Sequence, residues 1–248
     1  AGSNARLGAS LFGLSVSPHG DSLLLCDYSN HCVFRIHLET QEVVLVCGMT
    51  GQQGGLDGPV DAATFQVPGV AIESETGDIF VLCIDGCTIR RVDTLCKVTT
   101  LCGQHGVSGK ADGVGSAATL NRPFAMAYVA DHGSESGGGT LFVADCSNNS
   151  VRSVSTVDGT VTTLPGSFGG LLGISAGTTP DGRLCLYVND RNSLHCLVND
   201  ATAADEDSWS QTTVCRWSAV GMGIGFHLCL SQDGTRITVA FRGDHVVG

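Results

Sequence analysis

The chain has 248 residues, 34 glycines, 15% charged residues and a formal net charge of −11, a length that holds one large domain with an ample core. The acidic balance repels nucleic-acid phosphates and anionic lipid, so neither nucleic-acid binding nor direct membrane insertion by this segment is expected. No apolar run approaches membrane-spanning length, and no long stretch shows a capped 3.6-residue apolar period, which excludes a helical domain.

Read from its start, the chain opens in a connection: GSNARL at Gly2 to Leu7 lines up with GSAATL at Gly115 to Leu120. A first strand-rich repeat follows, LLLCDYSNHCVFRI and then EVVLVCG. The next, from Gly77 to Gly103, reads as three consecutive strands. Ile79 to Cys83 is a short apolar run, Asp85-Gly86 a turn, Thr88 to Val92 a second run, and Lys97 to Cys102 a third before a glycine. The same order returns as LFVADCSNNSVRSV with GTVTTLPG, more loosely as LYVNDRNSLHCLV, and cut short as ITVAFRGDHVV. Anchored on the first apolar residue of the second run, the copies fall at Val33, Ile89, Val151, Leu194 and Val246, the spacing of a four-stranded propeller blade.

Between repeats the motif D-G-x-x-x-A-A-x-Φ-x-x-P occurs at Asp57, Gly58, Ala62, Ala63, Phe65 and Pro68, and again at Asp112, Gly113, Ala117, Ala118, Leu120 and Pro123. With FVAD, SNNSVR and VTTL before a glycine, these residues resemble the NHL-repeat β-propeller family, strongly over the first three repeats and weakly after Gly166. The resemblance implies an all-β, NHL-type β-propeller with four complete four-stranded blades and a partial fifth. The blades are expected at residues 8–48, 67–103, 123–166, 170–218 and 221–248 of a single domain that is an excerpt of a longer chain. The complete domain would have six blades, or five.

Twelve cysteines admit two readings. Cys26, Cys83, Cys47 and Cys102 fall where the repeat has a small apolar residue and serve as buried hydrophobes. Alternatively, pairs flanking the second-to-third-strand turns make candidate disulfides, Cys26–Cys32, Cys83–Cys87 and Cys185–Cys196, in an extracellular protein. Asn148-Asn149-Ser150 is a glycosylation sequon on a turn, although Asn148 occupies the repeat's usual asparagine position and its side chain is a candidate turn brace.

Strands alternate direction within a repeat, so second-to-third turns and blade-to-blade connections share one face. That face carries the longest loops, from Cys47 to Val67 and from Gly103 to Arg122, with Gln52, Gln53, Asp57, Gln104, His105 and Lys110 as its candidate binding residues. The opposite face takes the insertions at Gly133 to Gly139 and Asp205 to Asp207. Asp27, Asp85, Asp145 and Asp190 recur at one turn, where aspartate accepts backbone N–H bonds, and Arg90 and Arg152 recur one residue after the anchor as repeat structure. The histidines show no metal-ligand spacing, though His31, His105, His195 and His245 are expected to approach the loop-rich face. No G-x-S-x-G elbow is present. Arg242-Gly243-Asp244 spells an adhesion tripeptide in a turn that would carry an aspartate anyway. No catalytic residue, metal ligand or cofactor is therefore expected.

NHL propellers occur in cell-surface adhesion proteins, including flagellum-attachment glycoproteins of kinetoplastids, and the acidic, cysteine-rich character is similar to that class. The resemblance thus implies a non-enzymatic module that presents its loop-rich face to a protein partner, in the ectodomain of a membrane-anchored cell-surface glycoprotein. Two alternatives stand beside it: a metal-dependent propeller hydrolase or lyase, and a cytoplasmic scaffold with reduced cysteines.

Overall fold

The computed structural model describes residues 7–131, 138–200, 208–216, 224–230 and 237–242. The first sheet is an antiparallel meander of β1 (Leu11–Val16), β2 (Ser22–Asp27), β3 (Cys32–His37) and β4 (Val43–Cys47), in that order. Next come β5 (Gly58–Pro59), β6 (Pro68–Glu73), β7 (Ile79–Cys83), β8 (Thr88–Val92) and β9 (Lys97–Gly103), ordered β5-β9-β8-β7-β6. The third sheet repeats this plan with β10 (Gly113–Val114), β11 (Pro123–Ala130), β12 (Gly139–Asp145), β13 (Ser150–Ser155) and β14 (Thr160–Thr163), ordered β10-β14-β13-β12-β11. The fourth is β15 (Gly173–Thr178), β16 (Leu184–Asn189), β17 (Ser193–Asn199) and β18 (Trp209–Arg216), and β19 (Ile224–Leu230) pairs with β20 (Ile237–Arg242). These are four complete four-stranded propeller blades and two strands of a fifth. Helix among the described residues is confined to single 3₁₀ turns at Gly115–Ala117 and Cys146–Asn148.

The two-residue strands β5 and β10 were not legible in the sequence. Each lies in the connection leading into its blade yet pairs with that blade's outermost strand, Gly58 opposite Val98 and Gly113 opposite Val161. They cap an edge that would otherwise expose a row of unpaired backbone groups.

The chain divides into two compact units. One comprises Ala1–Pro123, Ala130–Thr140 and Val154–Thr162; the other comprises Phe124–Val129, Leu141–Ser153 and Thr163–Gly248. In the first unit, Leu24, Cys26, Val33 and Cys47 pack on Ala71, Val81, Cys83, Val92 and Val98, filling the space between the first two blades. Their innermost strands approach so closely that a Cβ on Gly13 would run into the carbonyl oxygen of Gly69. In the second unit, Phe142, Ala144 and Val151 pack on Phe168, Leu171, Leu186, Val188 and Leu197.

Cys26, Cys47, Cys83 and Cys102 are buried, as hydrophobes of the repeat. Burial pushes the Cys26 and Cys47 thiols well above their ordinary pKa and raises that of Cys83, so they stay protonated and unreactive. The eleven cysteines whose side chains are described, all but Cys229, are free thiols, and the hairpin registers correct two of the proposed pairings. The first three hairpin loops have four residues and end in a left-handed residue, His31 (φ 57°), Cys87 (φ 53°) and Asn149 (φ 52°). Such a loop places Cys32 opposite Asp27, so Cys26, which faces Val33, points to the other side of the sheet. In the second hairpin Cys83 faces Thr88, and Cys87 lies in the loop with its thiol near the Ile84 carbonyl and the Ser108 hydroxyl. Cys26–Cys32 and Cys83–Cys87 are therefore not cross-strand pairs. In the fourth hairpin Cys196 faces Tyr187, which puts it diagonal to Cys185 on the same face.

The adhesion tripeptide Arg242-Gly243-Asp244 beyond Arg242, the anchor Val246, His245 and the insertion at Asp205 to Asp207 lie outside the described residues, as does Gly133 to Gly139 up to residue 137.

Candidate functional site

The loop-bearing face of the first unit is built from two copies of one hydrogen-bonded connection. In the first, the Gly54 N–H donates to the Phe65 carbonyl at 3.1 Å, and the Thr64 N–H donates to the Leu56 carbonyl at 3.2 Å. The Leu56 N–H donates to the Thr64 hydroxyl at 3.1 Å. In the second, Gly109 donates to Leu120 at 3.0 Å, Thr119 to Ala111 at 3.0 Å, and the Ala111 N–H to the Thr119 hydroxyl at 3.0 Å. The same threonine, one residue before the motif's large apolar residue, locks each loop on itself. Threonine suits the place because its hydroxyl accepts locally while its β-branch favours extended backbone.

Each connection is also tied to the second-to-third turn of the blade it leaves. The Gly51 N–H donates to the Asn30 carbonyl at 2.9 Å and the Gly106 N–H to the Gly86 carbonyl at 3.0 Å. His31 accepts the Val67 N–H on its Nδ1 at 3.4 Å, so it braces the loop face from below. The two connections meet where Gly55 lies against the His105 ring, in a gap that admits no Cβ.

Asp57 and Arg90 show why the first loop keeps its course. The Arg90 guanidinium is 1% exposed and lies 5.1 Å from the centre of the Phe65 ring. It donates to the carbonyls of Thr64 at 2.9 Å and Leu56 at 2.7 Å and to the Asp57 carboxylate at 2.6 Å. Asp57 also accepts from the Thr100 N–H at 3.1 Å and its hydroxyl at 3.0 Å. Asp57, expected among the binding residues, thus has its carboxylate committed to holding the connection. Gln104 is exposed, but its amide donates to the Ser116 carbonyl at 2.6 Å. Gln52, Gln53, His105 and Lys110 are exposed on loops that the backbone bonds hold in place.

In the second unit the third blade's turn and the following connection make a cleft of about 400 Å³ lined by Cys146, Ser147, Asn149, Gly169, Gly170 and Arg191. Asn149 accepts the Gly170 N–H at 2.7 Å, and Asp190 accepts the Gly169 N–H at 3.0 Å. This cleft was missed in the sequence because GSFGGLLG carries no motif. Asp190 also accepts from the N–H groups of Asn192 and Ser193. Burial alone would push its carboxyl up, but the Asn192 and Gly169 N–H groups, His195 and the Ser193 N–H outweigh it and hold the pKa below the ordinary carboxylate range. Asp27 likewise accepts the Asn30 N–H at 2.9 Å, so both aspartates act as turn braces.

His195, expected to approach the loop face, is instead buried, 3.2 Å from Asp190 and edge-on to Phe168. Asn148, the sequon asparagine, donates its side-chain N–H to Asp145 at 2.7 Å, which engages the nitrogen a glycan would require. Among the described residues no three His, Cys, Asp or Glu side chains are grouped to hold a metal ion.

No family model matches the chain. NHL repeat-containing protein 2 of Homo sapiens is 26% identical over 279 aligned positions that cover 93% of this chain. The chain spans 38% of the length of that curated relative. Among solved structures, an auxiliary nutrient binding protein from Bacteroides thetaiotaomicron has a TM-score of 0.59 at 21% identity over 74% of this chain and 46% of its own. Streptogramin B lyase has a TM-score of 0.59 at 9% identity, covering 93% of this chain and 62% of its own. A gluconolactonase from Xanthomonas campestris also has 0.59, at 13% identity over 95% and 71% of the two chains. At these identities the structural likeness speaks to the fold.

Proposed function

We propose that this chain, which is similar to NHL repeat-containing protein 2 and folds as a β-propeller, is a non-enzymatic binding module whose loop-bearing face receives a protein partner in a cell-surface ectodomain. One observation carries the reading: matched backbone bonds fix two adjoining connections while leaving Gln52, Gln53, His105 and Lys110 exposed. A preorganised loop surface with adaptable polar groups binds without a large ordering cost. The acidic charge supports the cell-surface placement, and the basic Lys110 gives the face a charge contrast for orienting a partner.

The enzymatic alternative needs side chains that converge on a metal or a substrate. The test is a binding screen of the folded chain against purified extracellular protein domains, repeated with Gln53→Ala/Lys110→Ala. A partner lost by this variant at unchanged Tm supports the reading. A partner retained by it places the contact elsewhere, and metal-stimulated lactone hydrolysis by the wild type would replace the binding role with the enzymatic one.

A further inference from the structure

We propose that Cys185 and Cys196 are an oxidisable pair, which closes to a disulfide across the β16–β17 hairpin when the protein meets a disulfide oxidant such as glutathione disulfide. Register carries the inference. Tyr187 is opposite Cys196 and Cys185 opposite Val198, so the two cysteines are diagonal neighbours on one face of one hairpin. Diagonal positions lie near the upper limit of disulfide reach, so side-chain direction decides. Here the two thiols and the Tyr187 hydroxyl share that face and lie close enough to interact with one another. Cys26–Cys32 and Cys83–Cys87 lack such a register.

Access is asymmetric in a way that orders the chemistry. Cys185 is fully buried, whereas Cys196 is partly exposed. The Cys196 thiol loses its proton and attacks a sulfur of glutathione disulfide, forming a mixed disulfide and releasing one glutathione thiolate. Cys185, after losing its own proton, attacks the Cys196 sulfur and releases the second glutathione. In sum, two protein thiols give up two protons and two electrons, and the oxidant becomes two glutathione thiols. The bridge would form in an oxidising compartment and stay open against a reducing glutathione pool. The inference is independent of any partner at the loop face.

The folded chain is incubated with glutathione disulfide, quenched in acid, alkylated and digested without reduction for mass spectrometry. The expected result is a loss of two titratable thiols and one cross-linked peptide joining Cys185 to Cys196, with the Cys26, Cys47, Cys83 and Cys102 peptides alkylated as before. Cys185→Ala should trap a glutathione adduct on Cys196, while Cys196→Ser should lose no thiol at Cys185. Separate alkylation of Cys185 and Cys196 in the wild type, or a bridge from either to another cysteine, overturns the proposal. Because the wild-type map reads connectivity directly, poor folding of a variant leaves the test intact.

Discussion

Arg152 donates from Nη1 to the Asp145 carboxylate at 2.8 Å, and both side chains are wholly buried. The pair joins the end of β12 to the third residue of β13, and Asp145 also accepts from Asn148. A buried ion pair adds little net stability over an apolar replacement, but removing one partner strands the other charge in the core. Arg152→Met and Asp145→Leu should each cost about 3–5 kcal/mol, and the double variant should cost less than the sum of the two. Urea unfolding of the three variants measures this, and additive losses would show that the two residues act independently.

The position that Arg152 fills shows how far the sequence could be read. Phe34, Arg90, Arg152 and His195 all follow a repeat anchor by one residue, and the recurrence of arginine marks Arg90 and Arg152 as repeat structure. What each side chain reaches was not legible. Arg90 spans to the incoming connection, Arg152 binds the turn of its own hairpin, and His195 meets the equivalent turn aspartate, Asp190. The strand pattern fixes the face of the sheet a side chain leaves, whereas side-chain length and loop course determine its partner. The Cys26–Cys32 and Cys83–Cys87 pairings fail for a related reason: a four-residue loop shifts the ladder by one position from symmetry about a single turn residue, and one position reverses the face.

The close passage of β1 against β6 gives a second prediction. Gly13 has no room for a methyl group because the obstacle is the backbone carbonyl of Gly69, which cannot rotate away as a side chain could. Gly13→Ala should push the two innermost strands apart and lower stability by about 1–3 kcal/mol. Thermal unfolding should show a reduced Tm, with amide protection falling first along Leu11–Val16 and Pro68–Glu73. An unchanged Tm would mean that the strands have slack at this contact.

Asp190 contributes a pH dependence whose sign follows from its environment. Its folded-state pKa is lowered because backbone N–H donors and His195 outweigh the opposing effect of burial. A lowered carboxylate pKa contributes stability that is fully present above the unfolded value of about 3.9 and is lost as pH falls through the folded value. Asp190→Asn should therefore be less stable than the wild type at pH 7, and the gap should close below about pH 4, where the wild-type carboxylate protonates. Melting curves of both proteins across this range check the sign, and a gap that widens in acid would refute it.

The contact between Gly55 and His105 links the loop face to its supports and gives the last prediction. A methyl group on Gly55 would strike the imidazole ring itself and come close to the His105 Cβ, so the second connection would have to yield. His105 is exposed and its ring can be removed without opening a core cavity, hence His105→Ala alone should leave Tm unchanged. Gly55→Ala alone should lower stability, and adding His105→Ala should recover most of that loss, a coupling of about 1 kcal/mol between groups in direct contact. The same cycle separates folding from recognition. If a protein partner uses this face, Gln53→Ala/His105→Ala weakens binding at constant Tm, and the stability restored to Gly55→Ala by His105→Ala brings no recovery of affinity. Affinity that instead tracks Tm through the cycle would show that these side chains matter for the loop's course and leave the partner nothing to contact there.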